Sequence, residues 1–417
     1  MRKSIGYVRL PMNKKGFIWN LIGSTVYALT SMLMGSAVMR FIGADNAGIF
    51  IFAFSTIGQH IYTVSYFGMR PVQITDTARR FSFGDYRRFR IRTCLIALSS
   101  TLLFAVLYAR YNPLKLIVII VIGIFKIMDG LCDCYESEFQ RDGRLDLTGI
   151  SLTCRMLAVM IAFVIALKTT GSLFISCVVA TAVLTLAWVI FCEMPVMRLE
   201  NCDMDEHPGN MKGMFDASKW LFLSTFLDLY VFSASKYAID AFKDAELSGY
   251  YGILFIPTSA INVMANFLIR PLLTKLSGDY DENKVADFKS TVKKITYVIS
   301  GLTVVGMIIA VTIGIPVLSL LVGKEEGAAL MQYKVAFMIL IAGGGFYALL
   351  NLYYYALVIL KEQERIFNVY VIGAIAATVL CFPASYFLGI NGAAISYALV
   401  MAITASLFGY HYVKKIS

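Results

Sequence analysis

The chain has 417 residues, of which 58% are hydrophobic and only 15% charged, and its mean hydropathy is +0.70. An ordinary soluble domain carries roughly a quarter charged residues. The composition therefore excludes a soluble enzyme, a disordered chain and a nucleic-acid-binding domain, despite a net charge of +10. A β-barrel is excluded as well, because the apolar stretches are long and continuous instead of short and alternating.

Met1 to Gly16 is basic, and the apolar run behind it is too long for a signal-peptide core and lacks a small-residue cleavage site. It reads as the first membrane span. Spans of about 20 apolar residues are predicted at 17–39, 47–68, 93–109, 115–134, 148–167, 171–192, 217–236, 247–269, 295–315, 333–360, 366–388 and 390–412. The fold class expected is an all-α integral membrane protein of twelve spans. With the N-terminus inside, the inner segments hold 27 Lys and Arg and the outer ones 8, leaving Lys126 and Arg155 within spans. The positive-inside rule then puts both termini in the cytoplasm. The exterior connections are short, the longest running from Pro316 to Gln332. No extramembrane region is large enough to house glycan-assembly chemistry, so no enzyme activity is expected. The three histidines and eight cysteines give no metal or triad constellation; Cys132 and Cys134 flank Asp133 without a second ligand pair.

The halves echo each other. Ala44-Asp45-Asn46-Ala47-Gly48-Ile49-Phe50 parallels Ala245-Glu246-Leu247-Ser248-Gly249-Tyr250-Tyr251; Arg70-Pro71 and Gly84-Asp85-Tyr86 parallel Arg270-Pro271 and Gly278-Asp279-Tyr280. Gln140-Arg141-Asp142-Gly143-Arg144 parallels Lys361-Glu362-Gln363-Glu364-Arg365. Six spans per half make a parallel repeat, with substrate expected between halves that rock against each other. The expected domains are an N-terminal six-helix lobe (1–192), a cytoplasmic linker (193–216) containing Pro208-Gly209, and a C-terminal six-helix lobe (217–417).

Three stretches carry a family resemblance. Val38 to Gly48 resembles the R-x-x-G-x-x-x-x-G junction between the first two helices of polysaccharide exporters. Leu247-Ser248-Gly249-Tyr250-Tyr251 through Arg270-Pro271 resembles their seventh-to-eighth helix region, and Ile315 to Gly323 their helix-nine exit. The family is that of the lipid-linked oligosaccharide flippases, the O-antigen and capsule-unit exporters of the multidrug/oligosaccharidyl-lipid/polysaccharide superfamily. The resemblance implies a two-lobe transporter in the bacterial cytoplasmic (inner) membrane. It would move undecaprenyl-pyrophosphate-linked oligosaccharide from the inner to the outer leaflet, alongside membrane lipid and in partnership with polysaccharide polymerase and chain-length machinery. Helices one, two, seven and eight would line its cavity. Three rival readings stand beside it, a cation-coupled multidrug exporter, a membrane enzyme of glycan assembly and a lipid II-type flippase.

Ionisable groups at membrane depth are expensive and usually face a cavity or one another. Arg40, Arg70, Lys219, Lys236 and Arg270 all lie on the four implied cavity helices and read as a cationic track for phosphate, or alternatively as snorkelling cations at helix ends. His60 is a candidate for sugar hydroxyls or for titration, against a hydrogen-bonded structural histidine. Asn262 and Asn266, four residues apart, are candidate sugar contacts. Asp228, deep in the seventh span, reads either as a carboxylate coupled to H⁺ or Na⁺ or as the partner of a cation elsewhere. No other cofactor is expected. Lys126, Asp129 and Asp133 share one face of the fourth span, and with Arg155 they read as a structural ion-pair cluster.

Overall fold

The computed structural model describes residues 14–76, 78–200 and 202–416. Among these residues the chain is all helix and turn, with no strand. Twelve helical rods follow one another: α1 (Lys14–Ile42), α2 (Ala44–Thr75), α3 (Phe83–Ala109), α4 (Pro113–Arg141), α5 (Leu145–Thr170), α6 (Leu173–Val196), α7 (Met211–Phe242), α8 (Ala245–Asp281), α9 (Val285–Val322), α10 (Lys324–Ile359), α11 (363–388) and α12 (390–416). The last two run together as Gln363–Ile416 except at Gly389, whose φ of 58° and ψ of −134° break the helix. Eight stretches are apolar and long enough to cross a membrane by length and composition alone, the Gln363–Ile416 pair counting once. The helices α4, α7 and α8 fall outside that set. In α4 the reason is visible, because its middle and second half hold Lys126, Asp129, Asp133, Glu136 and Glu138.

Local chemistry sets the ends. Ser82 and Asp85 form a reciprocal capping box at the start of α3. Asn112 caps α4 ahead of Pro113 at its first position, and Ser172 and Asp244 cap α6 and α8. Helices α2, α6 and α9 each contain a π-bulge, at Phe52–Ile57, Val189–Glu193 and Ala310–Gly314. The last one precedes Pro316, which sits at the start of the resumed helix where its missing N–H is tolerated. The exterior loop expected at 316–332 is absent as a loop. Residues Ile315–Val322 finish α9, and Gly323 alone turns the chain into α10.

The repeat is structural at some echoes and not at others. The turns α4–α5 and α10–α11 share one hydrogen-bond pattern: Arg144 N to Phe139 O and Gly143 N to Gln140 O in the first, Glu362 N to Leu357 O and Lys361 N to Val358 O in the second. Each places one residue at positive φ, Gly143 and Lys361. The Gly-Asp-Tyr echo fails. Gly84-Asp85 opens α3, whereas Gly278-Asp279 lies in the last turns of α8.

Two compact units emerge, and they cut the chain differently from the expected boundaries. Among the described residues, the first holds those from 14–34 and 61–222, the second those from 35–60 and 223–416. The chain passes between them inside α1, α2 and α7. In the first unit, glycines bring α1 against α5, since a Cβ on Gly23 would overlap the backbone at Gly149, and one on Gly149 the backbone at Trp19. Residues 203–210 are bound to the start of α3: Gly84 N donates to Asp203 O (3.1 Å), His207 N and Asn210 Nδ2 donate to Asp85 (2.6 and 2.7 Å), and Ser82 Oγ donates to Asp205 O. The expected linker is therefore a strap fixed to the first unit. In the second unit, α2 crosses α8 at backbone contact, because a Cβ on Gly48 would overlap the Ala245 carbonyl and one on Gly249 the Ala44 carbonyl. These are the two copies of the first sequence echo, packed on each other through small residues four apart. That contact draws residues 44–60 into the second unit.

Candidate functional sites in the two units

The first unit is held by a buried ion network centred on α4. Asp133 receives Arg70 at 2.5 Å and Arg90 at 3.1 Å. Arg155 reaches Asp129 at 3.3 Å and Glu136 at 2.6 Å, and Tyr27 donates to Asp129 at 2.7 Å. Glu138 takes Arg141 (2.9 Å), Arg79 (3.4 Å) and Gln73 Nε2 (3.1 Å). Lys126, also buried, lies one helical turn before Asp129. Such a network fixes the packing of α2, α3 and α5 on α4, since removing one member leaves its partner buried and unpaired. Arg70 belongs here: its guanidinium also donates to Gln140 (3.1 Å), so protein groups already occupy much of its binding capacity.

Outside the spans, Asp76 follows α2 and is 2% exposed. Burial favours its neutral form, but the N–H groups of Phe81 and Arg80, the Arg80 side chain and the Tyr86 hydroxyl outweigh this and hold its carboxyl below the usual range.

In the second unit the polar groups fall into three places. Lys236 is 8% exposed, with Nζ 4.0 Å from the Phe255 ring centroid and 5.2 Å from that of Phe232. It makes no salt bridge among the described residues. A void of about 10 Å³ beside it, bordered by Thr56, Ser248 and Tyr251, has room for one water. His60 is buried next to Tyr237, whose hydroxyl lies 2.9 Å from Nδ1, with the Thr56 carbonyl 3.2 Å from the same atom. Nδ1 thus faces one carbonyl and one hydroxyl, and Nε2 is buried with no hydrogen-bond partner among the described residues. Asp228 accepts from Tyr347 Oη at 3.2 Å and is flanked by Tyr370, while its Oδ1 has no hydrogen-bond partner among the described residues. One turn along α10 from Tyr347, Asn351 Nδ2 donates to Asn262 Oδ1 (2.9 Å), and Asn266 Nδ2 donates to the Asn262 carbonyl oxygen (3.0 Å).

The residues read as one substrate track are thus dispersed. Asn262, Asn266 and Asp228 share a ladder running from α7 through α10 to α8. His60 and Asp228 take opposite faces of α7: His60 meets Phe226 and Tyr237, two and nine residues from Asp228. Arg40 donates to the Leu320 carbonyl (2.9 Å), and Lys219 pairs with Asp216 (2.6 Å) on an exposed turn. The side chain of Arg270 lies outside the described residues. Tyr347 and Asn351 were visible in the sequence only as members of a tyrosine-rich span; no spacing rule could have tied them to Asp228 on another helix.

No family model matches the sequence, and no curated protein matches it either. Solved structures do. The inward-facing conformation of a multidrug resistance MATE family transporter of the MOP superfamily aligns over 97% of this chain and 98% of its own, at 13% identity and a TM-score of 0.65. The eukaryotic MATE transporter AtDTX14 aligns over 97% of both, at 10% identity and a TM-score of 0.64. The lipid II flippase MurJ, in an inward closed conformation, aligns over 96% of this chain and 89% of its own, at 11% identity and a TM-score of 0.69. These neighbours are transporters and flippases; the chain shares their fold, and its apolar helices are those of a multi-pass membrane protein.

Proposed function

We propose that the chain is a flippase that moves undecaprenyl-pyrophosphate-linked oligosaccharide repeat units, of the O-antigen or capsule type, from the cytoplasmic to the outer leaflet of the bacterial inner membrane by alternating access. The observation that carries this reading is Lys236. A buried ammonium that makes no salt bridge among the described residues is costly, and aromatic rings return only part of its hydration. An anionic pyrophosphate would supply the missing counter-charge, so the cost is explained if Lys236 serves substrate. The dispersal of the other cations narrows the track: Arg70 is committed to Asp133, Arg40 lies at an exposed position, and the half-exposed Lys219 is paired with Asp216. Arg270 stays in the proposal on its sequence position, and His60, Asn262 and Asn266 as neutral partners for sugar hydroxyls. Asp228 is proposed as the carboxylate coupled to H⁺ or Na⁺, since its Oδ1 has no hydrogen-bond partner among the described residues. The halves 1–192 and 217–417 are proposed as the alternating lobes, with cytoplasmic termini, and a polysaccharide polymerase as the downstream partner.

A second reading, a cation-coupled multidrug exporter, is favoured by the end-to-end alignment with the MATE transporter, whereas MurJ extends beyond this chain. The test is a cell lacking its own repeat-unit flippase. Expression should restore surface polysaccharide, and Lys236→Met should abolish the restoration while the protein still inserts. Raised drug resistance with no surface polysaccharide would support the exporter instead.

A further inference from the structure

Two helix–glycine–helix elbows face each other in the second unit. Gly43, at φ 87° and ψ 171°, joins α1 to α2, and Gly323, at φ 101° and ψ 165°, joins α9 to α10. Their hydrogen bonds match: Gly43 N to Met39 O and Ala47 N to Gly43 O in one, Gly323 N to Ser319 O and Gly327 N to Gly323 O in the other. Gly43 has no side chain to cap α2, so the first N–H groups of that helix need an acceptor from elsewhere. Glu326, on the opposite elbow, provides it. Its Oε1 accepts from Ala44 N at 3.1 Å, and its Oε2 lies 2.9 Å from the Tyr250 hydroxyl on α8, whose one proton it shares with Glu246 Oε1 at 3.1 Å. One carboxylate therefore spans the two helices that cross at Gly48 and Gly249. Arg40 adds a second tie between the elbows through the Leu320 carbonyl. Next to these contacts a cleft of about 500 Å³, bordered by Arg40, Gly43, Lys324 and Glu326, leaves the latch open to solvent.

We propose that Glu326 is a latch that pins the start of α2 onto α8 and that must release before this face of the transporter opens. The face is the outer one by the charge bias of the loops. The latch depends on the fold and not on which substrate is carried, so it is testable without substrate. Ala47, in the first turn of α2, is fully buried in the latched state. With Ala47→Cys as parent, the protein is treated in detergent with a maleimide, and peptide mass spectrometry reads position 47 and the buried native Cys177 of the first unit separately. Adding Glu326→Gln should speed modification at position 47 about tenfold, the size expected for losing one charge-assisted hydrogen bond, with Cys177 unchanged. Tyr250→Phe, which removes one oxygen, should speed it about threefold and decides alone if Glu326→Gln fails to fold. An unchanged rate at position 47, or an equal rise at Cys177, overturns the proposal.

Discussion

Lys236 brings a charge into the interior of the second unit, where Phe255 and Phe232 receive it in place of a carboxylate. A charge kept there for structure and one kept for substrate make opposite predictions. Lys236→Met keeps the volume and removes an uncompensated charge, so thermal stability in detergent should hold or rise, while translocation should fall by at least about tenfold. Lys236→Arg should retain part of the activity. A variant that loses stability and activity together would make Lys236 a packing residue. Asp133 is the contrasting case, since Arg70 and Arg90 both depend on it. Asp133→Asn should cost about 3–5 kcal/mol of stability, read as a loss of folded protein on heating in detergent, and Arg70→Gln should cost less because Arg70 is partly exposed. At this scale the sequence showed which residues are charged and roughly how deep they lie. It could not show which were paired: the Arg155–Asp129 contact joins neighbouring helices within reach of a spacing argument, whereas Arg70 and Asp133 stand 63 residues apart and meet only through packing.

The helices themselves were largely legible, because nine of the twelve lie in apolar stretches of membrane length. What could not be read was how far they extend. The ninth and tenth spans were expected to leave a loop at 316–332, where the structure has two helices and one glycine. Proline and glycine in that stretch signal a break, and only the π-bulge before Pro316 explains why the helix survives it. The repeat was legible where it encodes a contact, at Gly48 and Gly249, and misleading where a three-residue match was chance. Gly48→Ala should lower stability by about 1–3 kcal/mol, measured as a shift in detergent unfolding, since its Cβ has no space against Ala245; Gly278→Ala, whose Cβ would meet open space, should change little. The turn at Asp76 adds a pH dependence. Its carboxyl is held below the usual range in the folded protein, so its contribution is complete above the ordinary carboxylate pKa and disappears as pH falls through the lower, folded value. The stability gap between the parent and Asp76→Asn should therefore be constant near neutrality and close in acid; a gap that widens on acidification would contradict the assignment.

For the whole molecule, the sequence predicted a chain folded in two halves, and the structure groups it into two units that exchange a segment. Residues 35–60 belong with the second, and 193–222 with the first. A boundary drawn along the sequence cannot anticipate this, because the decisive contacts, Gly48 on Ala245 and Asp85 on residues 207 and 210, are made by distant segments. Fold and membrane character were nonetheless within reach of composition and charge alone, and neighbours at 10 to 13% identity share that architecture. Substrate identity rests on a few buried groups, and the most direct test is transport by the purified protein. Reconstituted in liposomes with a fluorescent undecaprenyl-pyrophosphate oligosaccharide, it should move the intact sugar headgroup across the bilayer, with Lys236→Met inactive and no sugar or phosphate released. Failure to move that lipid, while organic cations are transported down an ion gradient, would contradict the account.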